Sequence, residues 1–307
     1  MTSAEEKTHT DGKHCFQDLY NDPDAAPYML EMAHVGYVIA DHSSRIALSA
    51  MRTLLATSSL GEPGTDEPPV VLELCSGYGL SLAPILTTLS IHDVLEHFVG
   101  VRPPLEEALE QDGAFFDAAA RPDLPRITAV GVDVAENALA YGSATGIFSE
   151  TICRNLEASD DDEEEQLTAR EERLCARARL VLATGAFSYV TTKTLRRLCH
   201  CWRDEAQKPL FLFFPLVATD MLEIISFLRS DGLEVYYEPG LHWLPQRRFA
   251  DDGEAAAITA AQDAVLAASG RDESPPGALE GHLHATPLIA GPAGCDLAAR
   301  ARLWLRA

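Results

Sequence analysis

The chain has 307 residues, of which 47% are hydrophobic and 23% are charged, close to the averages for soluble globular proteins. This composition excludes a fibrous repeat and a wholly disordered chain, and the length suits one large domain with additions or two smaller ones. The 24 Lys and Arg residues against 47 Asp and Glu residues give a formal net charge of −23, which would repel a polyanion. We therefore expect no nucleic acid partner.

Signals for export, membrane insertion and metal binding are weak. Residues 1–14 mix acids and bases without an apolar stretch, which is typical of neither a secretory signal nor a transit peptide. The longest apolar run, residues 209–218, is shorter than the roughly 18 residues of a membrane-spanning helix. Seven cysteines without a disulfide-scaffold spacing favour reduced thiols, and the triplet Cys199-His200-Cys201 lacks a second pair of metal ligands. We expect a cytoplasmic protein, a monomer or a homodimer, with no metal site and no membrane span.

The order of predicted elements divides the chain into three parts. Residues 27–55 carry apolar side chains at helical spacing, and the helix-breaking stretch 61–69 (GEPGTDEPP) marks a boundary after them. We predict an N-terminal helical lid at residues 1–65 and a Rossmann-like domain at residues 66–250 with a helical insert at 91–125. Residues 251–307 are predicted to complete that domain with a helix, a last strand and a terminal helix.

Strands and helices alternate beyond the boundary. Strands are predicted at residues 70–75, 127–133, 149–155, 180–184, 210–215, 233–238 and 282–289, and helices at 135–145, 164–176, 191–205, 218–230 and 251–268. Helices of this length between strands imply right-handed crossovers and a mostly parallel sheet that is covered on both faces. The predicted fold class is α/β, with a doubly wound, seven-stranded sheet in an α/β/α sandwich.

The most informative stretch is residues 70–85, VVLELCSGYGLSLAPI. A buried strand that ends in a glycine turn and opens a helix places backbone N–H groups at the usual ligand crevice of such folds. Glu73 is an acid inside this apolar strand, where an unpaired charge is costly. Asp133 is predicted to end the next strand, where a carboxylate accepts hydrogen bonds from both hydroxyls of a ribose.

Three segments in this order resemble the successive motifs of class I S-adenosylmethionine-dependent methyltransferases: VLELCSGYG (71–79), GVDVAENALAYG (131–142) and LVLATGAFSYV (180–190). The segment GLEVYYEPGLHWLPQRRF (232–249) narrows the resemblance to a bacterial small-molecule group. The resemblance implies S-adenosylmethionine as cofactor, with the following residues around it: Glu73, Cys75, Ser76, Gly77, Tyr78 and Gly79 at its amino-acid part, Asp133, Val134 and Asn137 at its ribose, Asn155 and Leu156 at its adenine, and Thr184 and Gly185 near its sulfonium.

Two features depart from the family pattern. Cys75 replaces the first glycine of the family's loop, and 54 residues separate Gly79 from Asp133 where roughly 20 are usual. We interpret the extra length as the helical insert at 91–125.

Methyl transfer mainly requires alignment of donor and acceptor, with a base only where the acceptor loses a proton. Candidates for that base are Tyr189 and His242, with core packing and a surface loop as their structural alternatives. Candidates for acceptor binding, or for ordinary helix packing, are Tyr28, His34, Tyr37 and His42. His282 and His284 are candidate ligands, candidate bases or exposed residues, and of these we favour exposure. Residues 246–249 (QRRF) either anchor an acceptor carboxylate or pair with the protein's own acids, and we favour the pairing.

Three functions remain open from the sequence. The first is a methyltransferase acting on a small-molecule acceptor in specialised metabolism. The second is a cyclase that closes an azetidine ring on S-adenosylmethionine and releases methylthioadenosine. The third is a non-catalytic scaffold on the methyltransferase fold, which Cys75 and the insert would suit.

Overall fold

Seven strands form the central sheet of the protein in a computed structural model that describes residues 16, 19–56, 67–124, 126–202, 208–268, 280–294 and 296–306. The strands in chain order are β1 (Val70–Leu74), β2 (Thr128–Asp133), β3 (Glu150–Cys153), β4 (Ala178–Thr184), β5 (Leu210–Phe214), β6 (Leu233–Tyr237), β7 (Leu244–Arg248), β8 (His282–Ala285) and β9 (Leu288–Pro292). The sheet order is β3-β2-β1-β4-β5-β9-β6, and β7 pairs with β8 in a separate two-stranded sheet. In the large sheet β9 alone runs opposite to the other six strands. The predicted doubly wound, mostly parallel, seven-stranded sheet is confirmed.

Burial explains why the central strands read as continuous apolar runs. Every residue of β1 and of β5 is buried, because helices cover both faces of the sheet. The helices are α1 (Ala26–His34), α2 (Ile39–Ala56), α3 (Ala83–Leu86), α4 (Ile91–His97), α5 (Leu105–Ala118), α6 (Glu136–Ala144), α7 (Ala169–Ala176), α8 (Thr192–Cys201), α9 (Leu222–Ser230), α10 (Asp252–Ala268) and α11 (Leu297–Trp304). Among them, no helix of the described residues is long and apolar enough to cross a bilayer.

The N-terminal helices pack directly on the sheet domain. Helix α1 contacts α4 of the predicted insert, and α2 contacts α3, α11, β4 and β7. Met29, Met32 and Met51 are buried in the same apolar cluster as residues of the sheet domain. The first two helices and the sheet therefore share one core.

The insert is anchored by a buried carboxylate. Asp112 on α5 is completely buried and accepts two hydrogen bonds from Arg102, at 2.8 and 2.7 Å. Its oxygens also contact His97 Nε2 at 2.7 Å and the Tyr141 hydroxyl of α6 at 3.1 Å. Arg102 in turn reaches Asp24, just before α1, at 3.3 Å. The insert thus links the N-terminal residues to the sheet domain through one ionic network.

Several sequence predictions need correction at the level of elements. The single strand predicted at 282–289 is two strands, β8 and β9, which belong to different sheets. Strand β7 was not predicted, and the helix predicted at 164–176 begins at Ala169 after a 3-10 turn at Glu163–Glu165. His284 was predicted to be exposed but is buried at 3% exposure, since β8 packs its side chain against Trp243 with ring centroids 5.2 Å apart. Burial lowers the pKa of His284 to about 4.

Candidate functional site

The candidate site lies where β1, β2 and β4 end at the carboxyl edge of the sheet. Because β1 pairs with β2 on one side and with β4 on the other, Leu74 stands level with Val132 and Ala183. Chain order reverses between β1 and β4, which is the position where doubly wound sheets bind their ligands. The topology therefore brings Glu73, the loop after β1, Asp133 and Thr184 to one place.

The loop after β1 has an unusual backbone. Gly77 and Gly79 adopt positive φ angles of 50° and 81°, and Cys75 adopts 50°. A Cβ atom on Gly79 would lie 2.6 Å from Ile147 Cγ2, so only glycine fits there. Cys75 is the residue of this loop that has a positive φ angle without being a glycine. A residue with a Cβ atom in the left-handed region carries strain of roughly 1–2 kcal/mol.

Asp133 is a buried carboxylate that accepts hydrogen bonds from three backbone groups. Its Oδ2 atom accepts from the Gly77 N–H at 2.8 Å, which joins the β1 loop to the end of β2. Its Oδ1 atom accepts from the N–H groups of Val134 and Ala135, at 2.7 and 3.0 Å. The carboxylate is therefore held in a fixed orientation at the sheet edge.

A side chain from the N-terminal residues completes the surroundings of Asp133. The Tyr20 hydroxyl donates to Asp133 Oδ2 at 3.0 Å. A Cβ atom on Gly77 would lie 2.9 Å from Tyr20 Cζ, so the Tyr20 ring rests directly on the glycine. Burial and the neighbouring carboxylate raise the pKa of Tyr20, which keeps its hydroxyl protonated. The sequence analysis missed Tyr20, because it lies in a polar stretch without helical or strand periodicity.

Residues beside Tyr20 contact two further predicted cofactor residues. Asn21 accepts from the Asn137 N–H at 2.7 Å through its side chain, and its carbonyl accepts from Asn137 Nδ2 at 3.0 Å. The Tyr78 hydroxyl accepts from the Asn21 N–H at 3.1 Å and donates to the Asp22 carbonyl at 2.9 Å. Residues 19–22 therefore lie across both the β1 loop and the start of α6.

A cavity of about 80 Å³ lies beneath these residues. Four of its polar side-chain atoms are buried without a hydrogen-bond partner among the described residues: Glu73 Oε2, Ser76 Oγ, Thr184 Oγ1 and Gln246 Oε1. Unpartnered buried polar atoms are rare in folded proteins, and a group of them around one cavity indicates a site for a polar ligand. The remaining lining residues are Phe16, Tyr20, Tyr28, Met32, Tyr37, Cys75, Gly77, Tyr78, Leu80, Ser81 and Arg247.

Glu73 is the most perturbed carboxyl group of the cavity. Burial raises the pKa of Glu73 to about 8, with a smaller upward contribution from Asp133 and a downward one from the Ser81 side chain. Burial also raises the pKa values of Tyr28 and Tyr37. At neutral pH the cavity therefore holds mainly uncharged hydrogen-bonding groups.

Arg247 contributes a buried ion pair at the far wall of the cavity. Its guanidinium donates two hydrogen bonds to Glu254, at 2.8 and 2.6 Å, and lies 5.1 Å from the Phe16 ring centroid. Both side chains of the pair are at most 2% exposed. The sequence left two alternatives for the basic stretch 246–249: an anchor for an acceptor carboxylate or pairing with the protein's own acids. Arg247 pairs with the protein's own Glu254.

The structure brings together two of the four residues that were predicted to bind the methyl acceptor. Tyr28 and Tyr37 line the cavity. His34 is exposed on α1, where its carbonyl accepts from Arg248, and His42 on α2 contacts Arg45 with Nδ1 2.7 Å from the guanidinium. These two histidines do not line the cavity.

The two candidate bases lie outside the cavity as well. Tyr189, beyond β4, is 46% exposed. His242 follows β6, with Nε2 3.2 Å from the Tyr236 hydroxyl, and burial lowers its pKa. A neutral imidazole at physiological pH is able to accept a proton.

The residues assigned to the adenine and sulfonium regions occupy different environments. Asn155 is exposed and its side chain accepts from the Glu157 N–H at 3.0 Å, whereas Leu156 is buried in the core. Val134 is 62% exposed beside Asp133. Gly185 has a φ angle of 67°, and its N–H donates to the Phe214 carbonyl at 3.1 Å.

The strand order shows one departure from an all-parallel doubly wound sheet. Six strands run parallel, and β9 lies antiparallel between β5 and β6. The candidate site occupies the ligand crevice of this Rossmann-like fold, and no group of three or more potential metal ligands occurs in the part of the chain that the structure describes.

Comparisons with known proteins gave matches among solved structures only, since no family profile and no curated protein sequence matches the chain. The magnesium protoporphyrin IX methyltransferase of Synechocystis PCC 6803, solved with bound S-adenosylmethionine, is 10% identical over 83% of this chain and 81% of its own, with a TM-score of 0.38. The plantazolicin methyltransferase BpumL is 10% identical over 90% and 93%, with a TM-score of 0.38. A methyltransferase of Geobacter sulfurreducens is 15% identical over 80% and 89%, with a TM-score of 0.32.

Proposed function

We propose that the protein is an S-adenosylmethionine-dependent methyltransferase that acts on a small-molecule acceptor. The observation that carries this proposal is the pairing of two acids at one sheet edge: Asp133, fixed by the Gly77 N–H, and Glu73, buried with an unpartnered oxygen. Ribose hydroxyls are donors that suit a carboxylate in the position of Asp133, and an ammonium group suits Glu73. These two acceptor side chains therefore fit the hydroxyl and ammonium groups of this cofactor.

The chain's residues would divide the cofactor between them. Asp133 and Asn137 would hold the ribose, Glu73 and the loop of residues 75–79 the amino-acid part, and Thr184 and Gly185 the region of the sulfonium. Val134, Asn155 and Leu156 would border the adenine. When bound, S-adenosylmethionine supplies a methyl group that its sulfonium activates for displacement. The protein contributes alignment and the exclusion of water, for which the aromatic walls of Tyr28 and Tyr37 are suited.

A proton acceptor is needed only for acceptors that lose a proton. His242 is suited to that role because its lowered pKa keeps it neutral at pH 7, and Tyr189 lies beyond β4 on the side where strands end. A net charge of −23 favours small acceptors over nucleic acids.

Mass spectrometry of the purified protein incubated with S-adenosylmethionine alone tests the proposal. Bound, intact cofactor is the expected result, and transfer of the labelled methyl group from the cofactor to a panel of small acceptors would follow. Release of methylthioadenosine with a cyclised amino acid would show that the protein is a cyclase and not a methyltransferase. Absence of binding, with folding verified by circular dichroism, would favour a non-catalytic scaffold.

The position of the cofactor is tested separately by calorimetry. Asp133→Ala is expected to weaken cofactor binding by about 1–3 kcal/mol, because the ribose loses a buried acceptor. Asp117→Ala is a matched control, since this carboxylate is exposed on α5. Equal affinity of the two variants would show that the ribose lies elsewhere.

A further inference from the structure

We propose that Tyr20 and its neighbours in residues 19–22 form an autoinhibitory plug that occupies the ribose position and must leave before the cofactor binds. This inference rests on the proposed function and adds a regulation of the same site. It follows from the contacts of Tyr20 with the two residues that would receive the cofactor, Gly77 and Asp133.

The Tyr20 ring covers the surface that Gly77 would offer to a ligand. Glycine in this loop allows close approach to the backbone, and the group that approaches it is the Tyr20 ring, with Cζ 2.9 Å from the position of a Cβ atom. A ribose and the Tyr20 ring cannot share this space. The remaining cavity of about 80 Å³ is far below the roughly 300–1,000 Å³ of typical sites for small molecules, so the whole cofactor does not fit while Tyr20 stays.

The Tyr20 hydroxyl also makes the hydrogen bond that is expected of a ribose hydroxyl. It donates to Asp133 Oδ2 at 3.0 Å, as a sugar hydroxyl would. When a ribose hydroxyl takes the place of the Tyr20 hydroxyl, Asp133 Oδ2 accepts from a hydroxyl group both with the plug in place and with the cofactor bound. The plug therefore avoids the cost of a buried, under-satisfied carboxylate in the cofactor-free protein.

The plug is attached by hydrogen bonds and by the Tyr20 ring, which contacts the rings of Tyr28 and Tyr78 with centroids 5.4 and 6.1 Å apart. Asn21 and Asp22 are exposed, and they are held by hydrogen bonds to Asn137 and Tyr78 rather than by apolar burial. Apart from the Tyr20 ring, the plug is held by hydrogen bonds at exposed residues, and such a segment opens at a lower free energy than the core strands and helices. The contact of Asp24 with Arg102 at 3.3 Å marks a fixed point just beyond the plug, so that residues 19–22 are able to swing away while α1 stays in place.

The test compares S-adenosylhomocysteine binding to the wild-type chain with binding to Tyr20→Phe and Tyr20→Ala. Tyr20→Phe keeps the ring but loses the hydroxyl, and Tyr20→Ala removes both. Tyr237→Phe is the matched control, since it removes a buried tyrosine hydroxyl that has no hydrogen-bond partner among the described residues, on β6 away from the site. Circular dichroism and urea unfolding verify that each variant is folded.

Tyr20→Ala is expected to tighten binding by about tenfold and Tyr20→Phe by about threefold, because each relieves part of the competition, while Tyr237→Phe matches the wild type. In stopped-flow measurements, the association rate of the wild type should reach a plateau at high ligand concentration, set by opening of the plug. The rate for Tyr20→Ala should keep rising linearly.

Unchanged affinity for S-adenosylhomocysteine in both Tyr20 variants would overturn the proposal of an autoinhibitory plug. Weaker binding would overturn it as well, because it would show that Tyr20 is a ligand of the cofactor. Failure of the proposed function gives a different result. In that case S-adenosylhomocysteine binds to none of the four proteins, Tyr20→Ala included.

Discussion

Replacement of Glu73 by glutamine should stabilise the protein, and by an amount that grows with pH. Burial on β1 raises the pKa of Glu73 from an ordinary value of 4.5 to about 8. The folded state therefore keeps its proton through a pH range in which the unfolded chain has lost it. Between these two values a rise in pH favours unfolding, because the unfolded chain releases the Glu73 proton and the folded protein keeps it. Glu73 therefore does not reduce the stability below pH 4.5 and reduces it increasingly from there to pH 8.

The magnitude follows from the gap of about 3.5 between the two pKa values. At about 1.4 kcal/mol for each unit, ionisation of Glu73 costs about 5 kcal/mol once the pH exceeds 8, and about 3 kcal/mol at pH 7. Glutamine has nearly the shape of the protonated carboxyl and does not titrate. The free energy of unfolding of Glu73→Gln should therefore equal that of the wild type near pH 4.5 and exceed it by these amounts at higher pH.

Urea unfolding of both proteins at pH 5, 6, 7 and 8, followed by circular dichroism, measures this difference. Other titrating groups are common to both proteins, so the difference isolates Glu73. Glu110→Gln makes the same change at an exposed position on α5 and serves as the matched control. A stability difference that stays constant from pH 5 to pH 8 would refute the reasoning, since it would mean that Glu73 is already ionised in the folded protein.

Three further predictions concern other parts of the site and of the core. Glu254→Ala should cost about 3–5 kcal/mol in urea unfolding because it leaves the Arg247 guanidinium buried and unpaired, and the double variant Arg247→Met/Glu254→Leu should recover most of this loss. Cys75→Gly should stabilise the protein by up to about 1 kcal/mol by relieving the left-handed backbone, whereas Cys75→Ala, which keeps the Cβ atom, should not. Asp112→Ala should lower the urea midpoint by the equivalent of about 3–5 kcal/mol, since Arg102 loses both of its hydrogen bonds to the buried carboxylate; an unchanged midpoint would contradict a structural role for the network.

The sheet was predictable from the sequence because its strands are buried on both faces. LFLFF is apolar throughout and VVLEL is apolar except for Glu73, and helical segments between such runs leave few alternatives to a parallel, doubly wound sheet. The positions of Glu73, Gly77 and Asp133 at one edge follow from the same argument. Parallel strands that pair in register place their carboxyl ends together.

The rest of the site could not be predicted, because it depends on contacts between distant residues. Tyr20 reaches Asp133 across 113 positions, and no local period marks it. Strands β7 and β8 pair across a segment that contains all of α10, so no short hairpin turn between them marks the pair in the sequence. The burial of His284 follows from that pairing and from Trp243, which the sequence does not relate to it.

The antiparallel strand β9 sets an order of events during synthesis. In the finished sheet β9 separates β5 from β6, yet Leu288–Pro292 is translated more than 50 residues after β6 ends at Tyr237. Until those residues leave the ribosome, β5 and β6 each present an open edge, and such edges invite pairing with other chains. The nascent protein therefore passes through a stage in which the edges of β5 and β6 that later face β9 are both unpaired, and β9, the last strand to be made, closes both.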